Sequence, residues 1–265
     1  MPRWLLTLLR LTPAVASASA LSVVGLIGFR QLVPMSELEH SSNEVGNYLQ
    51  TLGGIYAVLL AFVVYVVWGQ FNEARSTVDK EAASLVDLHR TVSGLAPQHR
   101  AEIQQPLRAY IDAVLAEEWP AMAQGDEATI ERVGEHLDQV WLAIHRTRPT
   151  NDCQNTVFGE VLRQFNDLHD LRTNRLTTAR ARIPQAMKIL LYTGAVLTTG
   201  SMYLLAIDRL WIHAAVTAAL AGAIAHILYL IADLDDTYAG DWQVAKAAFE
   251  RARKHCDRTT HLVDA

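Results

Sequence analysis

The sequence predicts an all-α membrane protein: four transmembrane helices, with a cytoplasmic helical bundle inserted between the second and the third. Three observations carry that expectation. Four long stretches lack any charged residue, apolar residues between the second and third stretch recur at helical spacing, and turn signals separate those repeats. The 265 residues are 51% hydrophobic and 19% charged, with a mean hydropathy of +0.11 and a net charge of -5. That average hides two populations. No Asp, Glu, Lys or Arg lies between Arg10 and Arg30, Glu44 and Glu73, Lys188 and Asp208, or Arg209 and Asp233, gaps of 19, 28, 19 and 23 residues. A helix needs roughly 20 apolar residues to cross a bilayer, so each gap is long enough to span one.

This distribution excludes a single-pass receptor and a nucleic-acid binder selected by bulk positive charge. Cys153 and Cys256 are the only two cysteines and lie outside the gaps, which excludes a secreted disulfide scaffold.

The first crossing is expected over Leu11 to Phe29. Arg3, Arg10 and the small residues Ala18-Ser19-Ala20 also fit a cleavable signal, but the apolar run continues through Phe29 as a retained anchor does. The second crossing, Tyr48 to Trp68, is the clearest. The third is expected over Ile189 to Ile207 and the fourth over Leu210 to Ala232, joined by Asp208 and Arg209. Trp68, Tyr192, Trp211 and Tyr229 fall near expected ends, where amphipathic rings favour the interface.

Lys and Arg counts set the orientation. The loop from Arg30 to Asn47 has one Arg against Glu37, Glu39 and Glu44, whereas fourteen basic residues lie from Arg75 to Lys188. The expected organisation is therefore residues 1–70 for the first membrane pair, 71–185 for the cytoplasmic insert, 186–233 for the second pair and 234–265 for a cytoplasmic tail. Both termini and the insert are expected on the cytoplasmic side of the membrane.

In the insert, Phe71, Val78, Leu85 and Val92 recur every seven residues, with Ala74, Leu88 and Leu95 at the second seam position. The phase runs back through Val67 and Val64, so one unbroken helix is expected from Tyr48 to Ser93, about 70 Å at 1.5 Å per residue. A second begins at Pro97 and carries Ile103, Leu107, Ile111, Val114 and Leu115, ending at Glu118-Trp-Pro120 or at Gln124-Gly125. Asp126 is expected to cap a third helix, bearing Ile130, Val133, Leu137, Val140, Trp141 and Ile144. A fourth runs from after Pro149 to Pro184 through Phe158, Leu162, Phe165, Leu168 and Leu176.

Phosphate loops, Cys-x-x-Cys pairs, His-Glu-x-x-His helices and nucleophile elbows are absent from the sequence, so no enzymatic activity is expected. Four features carry chemistry instead. Asp233, Asp235, Asp236 and Asp241 crowd the exit of the last crossing, and oxygen ligands in a turn suit a hard cation such as calcium. The same run also reads as a solvated acidic turn. Arg172, Arg175, Arg180 and Arg182 precede the third crossing, as an anchor on lipid head groups or as a basic vestibule that concentrates anions or pairs with the aspartates. His226 lies deep in the last crossing, where an ionisable group is costly and a functional suspect; a neutral histidine bonded to a neighbouring helix fits as well. Gly53, Gly54, Gly194 and Gly200 read as sites of close helix packing.

Asn43-Glu-Val-Gly46, Leu52-Gly-Gly-Ile-Tyr-Ala-Val-Leu-Leu-Ala-Phe62, Trp68-Gly-Gln-Phe-Asn-Glu-Ala-Arg75 and Glu81-Ala-Ala resemble an uncharacterised bacterial membrane family described as bestrophin-like. Glu117-Glu-Trp-Pro120, Arg175 to Pro184 and Asp233 to Trp242 are similar to the same family. More distantly the chain resembles the bestrophin channels. That resemblance implies a pentamer with four membrane helices per subunit, a helical cytoplasmic part and a hydrophobic neck lined by the second membrane helix. After their last crossing bestrophins carry an Asn-Pro-Phe-Gly turn followed by acids, which binds calcium in animal members. Here Asp236-Thr-Tyr-Ala-Gly-Asp241 is similar in place, but Thr237, Tyr238 and Ala239 replace the expected Pro, Phe and Gly. Only Asp236 and Asp241 carry over as ligands for calcium or another cation.

The leading expectation is a homo-oligomeric ion channel in a lipid bilayer, with Leu59, Phe62 and Val66 forming a constriction that gates by dewetting. Its partners are inorganic ions and further copies of the chain, with no nucleic acid. The alternative is a non-conducting scaffold or sensor whose insert binds a partner through Val78, Leu85 and Val92. A transporter using His226 as proton relay ranks last, because no crossing is broken by an internal proline or shows an inverted repeat. The insert carries 14 basic and 17 acidic residues between Glu73 and Lys188, a balance that chooses neither anions nor cations.

Overall fold

The computed structural model describes residues 3–34, 38–39 and 42–263, and every regular element among them is helical. Glu37, which entered the orientation count, lies outside these residues. The helices are α1 (Arg3–Leu32), α2 (Ser42–Val92), α3 (Pro97–Ala113), a π-helical turn (Val114–Glu118), α4 (Trp119–Gln124), α5 (Glu127–Arg146), α6 (Asp152–Arg180), α7 (Gln185–Ser201), α8 (Leu210–Asp235) and α9 (Ala247–Val263). The chain divides into two compact units. One comprises Met1–Gly69 with Arg182–Asp235, the other Gln70–Ala181 with Asp236–Ala265.

In the first unit α1 packs along α8, and α7 contacts α8. Small residues make these contacts. A Cβ on Gly222 would lie 2.8 Å from the Ser19 hydroxyl, and one on Gly25 would lie 2.6 Å from the Tyr203 hydroxyl. Ser19 also donates to the Ala218 carbonyl at 3.0 Å. Pro13 lies inside α1 without ending it. Arg10–Leu32, Glu44–Val92 and Leu210–Asp235 are long and apolar enough to cross a membrane.

The third expected crossing differs from the sequence reading. Helix α7 starts four residues before Ile189 and stops at Ser201, giving 17 residues, about 25 Å. A single 3₁₀ turn, Met202–Leu204, and an extended stretch follow. Tertiary hydrogen bonds replace helical ones there. His213 Nε2 lies 2.8 Å from the Met202 carbonyl, and Arg30 donates to the Ile207 carbonyl. At the other end the amide of Ile183 donates to Asp235 Oδ1 at 2.7 Å, just ahead of Pro184, which opens the new helix.

The second unit is a water-type bundle. Helix α3 packs against α5 and α9, and the π turn rests on α5. The seam read from the sequence is its core: Phe71, Ala74, Val78, Leu85, Leu88, Val92 and Leu95 are all buried, each leucine contributing about 1.5–3 kcal/mol. This corrects the scaffold expectation, because Val78, Leu85 and Val92 are spent on the chain's own core and present nothing to a partner. Helix α2 is unbroken through Val92 as expected, but begins six residues before Tyr48.

The helix expected from Pro97, with its end at Glu118-Trp-Pro120 or at Gln124-Gly125, runs on to Gln124 but is interrupted by the π turn. Pro120 has no N–H, and its ring crowds the carbonyl four residues back. Widening the preceding turn relieves the clash, so the Trp119 amide bonds to the Val114 carbonyl five residues back. Gly125, at φ 71°, then closes α4 in the left-handed region. Asp126 caps α5 as expected, its carboxylate accepting from the Thr129 amide and hydroxyl. Trp141 stays partly exposed and stacks on Phe165 with ring centroids 5.5 Å apart.

Candidate functional site

Within the membrane-type unit, one face of α2 is anchored and the other is open. Tyr56, Leu60, Val63 and Val67 are buried at spacings of four, three and four, which places them on one helical face. The Tyr56 hydroxyl donates to the Leu191 carbonyl at 2.9 Å. Its ring lies so close to Gly194 that a Cβ there would meet it at 2.4 Å. The expected close packing is therefore seen at Gly194, whereas Gly53, Gly54 and Gly200 have nothing within 4 Å.

This anchoring turns a row of large apolar side chains outward. Ile55, Val58, Phe62 and Tyr65 recur along α2 with 58% of Phe62 and 76% of Tyr65 exposed. Of the three neck candidates, Phe62 lies in this row, and Leu59 and Val66 are half-buried at its edge.

One member of the acidic turn is already committed within the protein. Asp235 is buried and already committed, accepting from the Ile183 amide and pairing with Lys188 Nζ at 2.8 Å. The Asp236 carbonyl accepts the amides of Ala239 and Gly240, and the Thr237 carbonyl accepts that of Val244. Asp233, Asp236 and Asp241 are partly exposed. Among the described residues, no three His, Cys, Asp or Glu side chains come together as a metal-ligand group.

The basic cluster disperses as well. Arg182 is exposed and falls in the first unit, whereas Arg180 pairs with Glu127 on the surface of the second. Arg175 is neither a lipid anchor nor a vestibule residue. It is fully buried, donating from Nε to Glu81 at 2.5 Å and from Nη2 to Glu118 at 2.8 Å. Arg172 holds the other Glu118 oxygen at 2.6 Å, and the Tyr110 hydroxyl donates to Glu81 at 2.6 Å. The Phe249 ring lies 5.5 Å from the Arg175 guanidinium carbon. Burial by itself would lower the guanidinium's pKa, but Glu81 and Glu118 outweigh it and hold the group firmly protonated. Burial, reinforced by Glu81, pushes the Tyr110 hydroxyl far up, so it remains a donor.

Glu81 and Glu118 enter the sequence reading only within the motifs Glu81-Ala-Ala and Glu117-Glu-Trp-Pro120, with no role assigned, and Tyr110 does not enter it, yet a signal was present. Glu81 occupies the seam position filled elsewhere by Ala74 and Leu88, and Arg172 and Arg175 fall on the inward row of α6 with Val161, Phe165 and Leu168. A charge on an apolar row announces a buried partner.

Three histidines separate clearly. His226 is exposed on α8, and among the described residues it has no hydrogen-bond partner. His213, assigned no role from the sequence, is buried with Nδ1 3.1 Å from Arg30 Nη2. That arginine approach makes Nδ1 an acceptor, leaving Nε2 to donate to Met202. His89 is fully buried and neither ring nitrogen has a partner. Burial, helped by Arg108, lowers its pKa to about 4.

The geometry can now be set beside known proteins. A family model described as the bestrophin-like domain matches residues 16–249. The chain belongs to the bestrophin-like family. Solved structures agree on the fold. A variant of a bacterial bestrophin homologue from Klebsiella pneumoniae superposes with a TM-score of 0.71 at 16% identity, over 93% of this chain and 98% of that one. A second structure of the Klebsiella pneumoniae homologue gives 0.68 at 16% identity, over 96% and 98% of the two chains. A structure described only as a membrane protein gives 0.69 at 15%, over 95% and 98%. No curated protein matches the sequence significantly. This bestrophin-like chain is thus a helical membrane protein whose α2 leaves Phe62 outward and whose second unit closes around Arg175.

Proposed function

We propose that the protein is a homo-oligomeric ion channel of the bacterial inner membrane, with α2 lining a hydrophobic neck at Phe62 flanked by Leu59 and Val66. The reading has four crossings, α7 being the short one, with the Gln70–Ala181 unit and both termini cytoplasmic, as the Lys and Arg distribution favours. The observation that carries it is the two-faced α2. Tyr56 and Gly194 fix one side within the chain, and the other carries Ile55, Val58, Phe62 and Tyr65 outward with no charge between Glu44 and Glu73. A ring of such helices gives a narrow apolar passage that blocks ions when it dries and conducts when it wets. The bestrophin-like family, whose more distant relatives are channels, supports the same reading. Ions rather than a resident metal are the cargo. The scaffold alternative is weakened because its contact residues are buried.

Purified protein reconstituted in planar bilayers tests this. Phe62→Ala widens and wets the neck and is expected to raise conductance several-fold over wild type. Indistinguishable wild-type and Phe62→Ala currents would remove Phe62 from the neck.

A further inference from the structure

A groove of about 630 Å³ runs between α2 and α9 in the second unit. Small apolar residues, Ala82 and Ala83 from α2 and Ala252 from α9, lie along it, while Arg251, Lys254 and Arg258 line its edge. All three cations are exposed. Asp79 approaches Arg251 at 3.7 Å across the surface, so one carboxylate faces three positive side chains. An alanine floor lets another helix backbone come close, and a cationic rim selects one that carries acids.

The chain carries such a helix. Glu131, Glu135 and Asp138 are exposed on one face of α5, and among the described residues none of them makes an ion pair or hydrogen bond. Their spacing is the mirror of the rim. Along α9 the cations follow intervals of three and then four residues, 251 to 254 to 258. Read in reverse along α5, the acids follow intervals of three and then four, 138 to 135 to 131. Both rows span seven residues, about 10.5 Å at 1.5 Å per residue. Two helices laid antiparallel therefore bring Arg251 to Asp138, Lys254 to Glu135 and Arg258 to Glu131 together in register.

We propose that the α2–α9 groove receives α5 of a second copy of this chain, antiparallel to α9. The two surfaces differ, so the contact is heterologous: each copy offers a groove to one neighbour and an acidic helix to the other. Repeated with closure, such a contact makes a ring. This rests on the homo-oligomer in the proposed function and adds which faces meet. Rim charges of this kind give register and partner choice more than raw affinity.

Charge exchange in the full-length protein tests it. R251E/K254E/R258E is expected to weaken assembly in mild detergent by about tenfold or more, because three attractive pairs become repulsive, and E131K/E135K/D138K should do the same. Combining all six substitutions should restore the wild-type oligomer. As a check independent of that restoration, K254C/E135C in a Cys153→Ser background should form an intermolecular disulfide on mild oxidation. An oligomer indifferent to either reversal overturns this interface and leaves the channel reading standing. So does a six-fold variant that stays dispersed together with no K254C/E135C cross-link; the cross-link alone upholds the interface. A wild-type protein that is monomeric overturns the oligomer itself.

Discussion

The two units solve the same problem, packing helices, in opposite ways. In the unit of Met1–Gly69 and Arg182–Asp235 the bulky apolar side chains point out, as at Val58, Phe62, Tyr65, Val196 and Trp211, and contacts are made by Gly25, Gly194, Gly222 and Ser19. In the other unit the bulky residues point in, and Ile103, Leu107, Ile111, Leu85 and Leu168 are fully buried. The difference reflects the solvent. Lipid tails are as apolar as leucine, so burying leucine against a neighbour gains little, and helices associate where small residues allow close approach and polar groups bond. The inward packing of the second unit is the pattern the hydrophobic effect produces in water. Charge follows the same division. The membrane-type unit holds Arg30 Nη2 against a carbonyl and a neutral histidine, whereas the bundle buries two carboxylates with Arg172 and Arg175.

The largest expected effect comes from breaking that buried network. Arg175→Met leaves Glu81 and Glu118 without their shared partner, and is expected to destabilise the second unit by about 3–5 kcal/mol. Hydrogen exchange resolved by segment should show faster exchange in α3, α5 and α6, with α1 and α8 unchanged. Replacing Glu81 and Glu118 by leucine in the same protein should recover most of the loss, because a well-packed apolar core tolerates removal of the whole set better than removal of one member.

A smaller effect probes the membrane-type packing. Gly194→Ala drives a methyl into the Tyr56 ring and is expected to cost about 1–3 kcal/mol, read as a lower melting temperature in detergent. Gly53→Ala has open space around it and should change the fold of a protomer by less than about 0.5 kcal/mol. Equal effects at the two positions would remove the claim that Tyr56 and Gly194 orient α2.

The mildest test uses pH. His89 is held neutral in the folded bundle, its pKa lowered from 6.5 to about 4 by burial and Arg108, with His255 acting in the same direction and Asp257 opposing. Below 6.5 the unfolded chain takes up a proton that the folded chain refuses, so stability falls as pH drops from 6.5 toward about 4 and then levels off. The melting temperature of wild type should decline across that window. His89→Leu should decline less, and an unaltered slope would place the acid sensitivity elsewhere.

Much of the bundle was legible because its signals are local. The seven-residue seam, the Asp126 cap and the Gly125 stop each lie within a turn or two of the structure they set. The start of α8 followed from the charge gaps, although α8 runs on to Asp235 and α1 extends beyond the expected Leu11 to Phe29 at both ends, from Arg3 to Leu32. The misses depend on partners far apart in sequence. Arg175 meets Glu81 across 94 positions and Glu118 across 57, so the four arginines read as one basic patch although Arg172 and Arg175 turn inward to share Glu118, and Arg180 pairs with Glu127 on the surface. Helix α7 ends early because His213 and Arg30 take up carbonyls beyond it, a competition no local pattern announces. Within the acidic turn, Asp235 stands beside Asp236 in sequence but is committed to Lys188 and the Ile183 amide, a commitment that the run of acids does not announce.

The central claim is that copies of α2 surround an ion path. An oligomeric structure in lipid nanodiscs, with the radius profile along its symmetry axis, tests it most directly. The account predicts a ring, pentameric by family resemblance, whose narrowest apolar segment is formed by Phe62 with Leu59 and Val66. A strictly monomeric protein, or a ring in which the Phe62 row faces lipid, would contradict it.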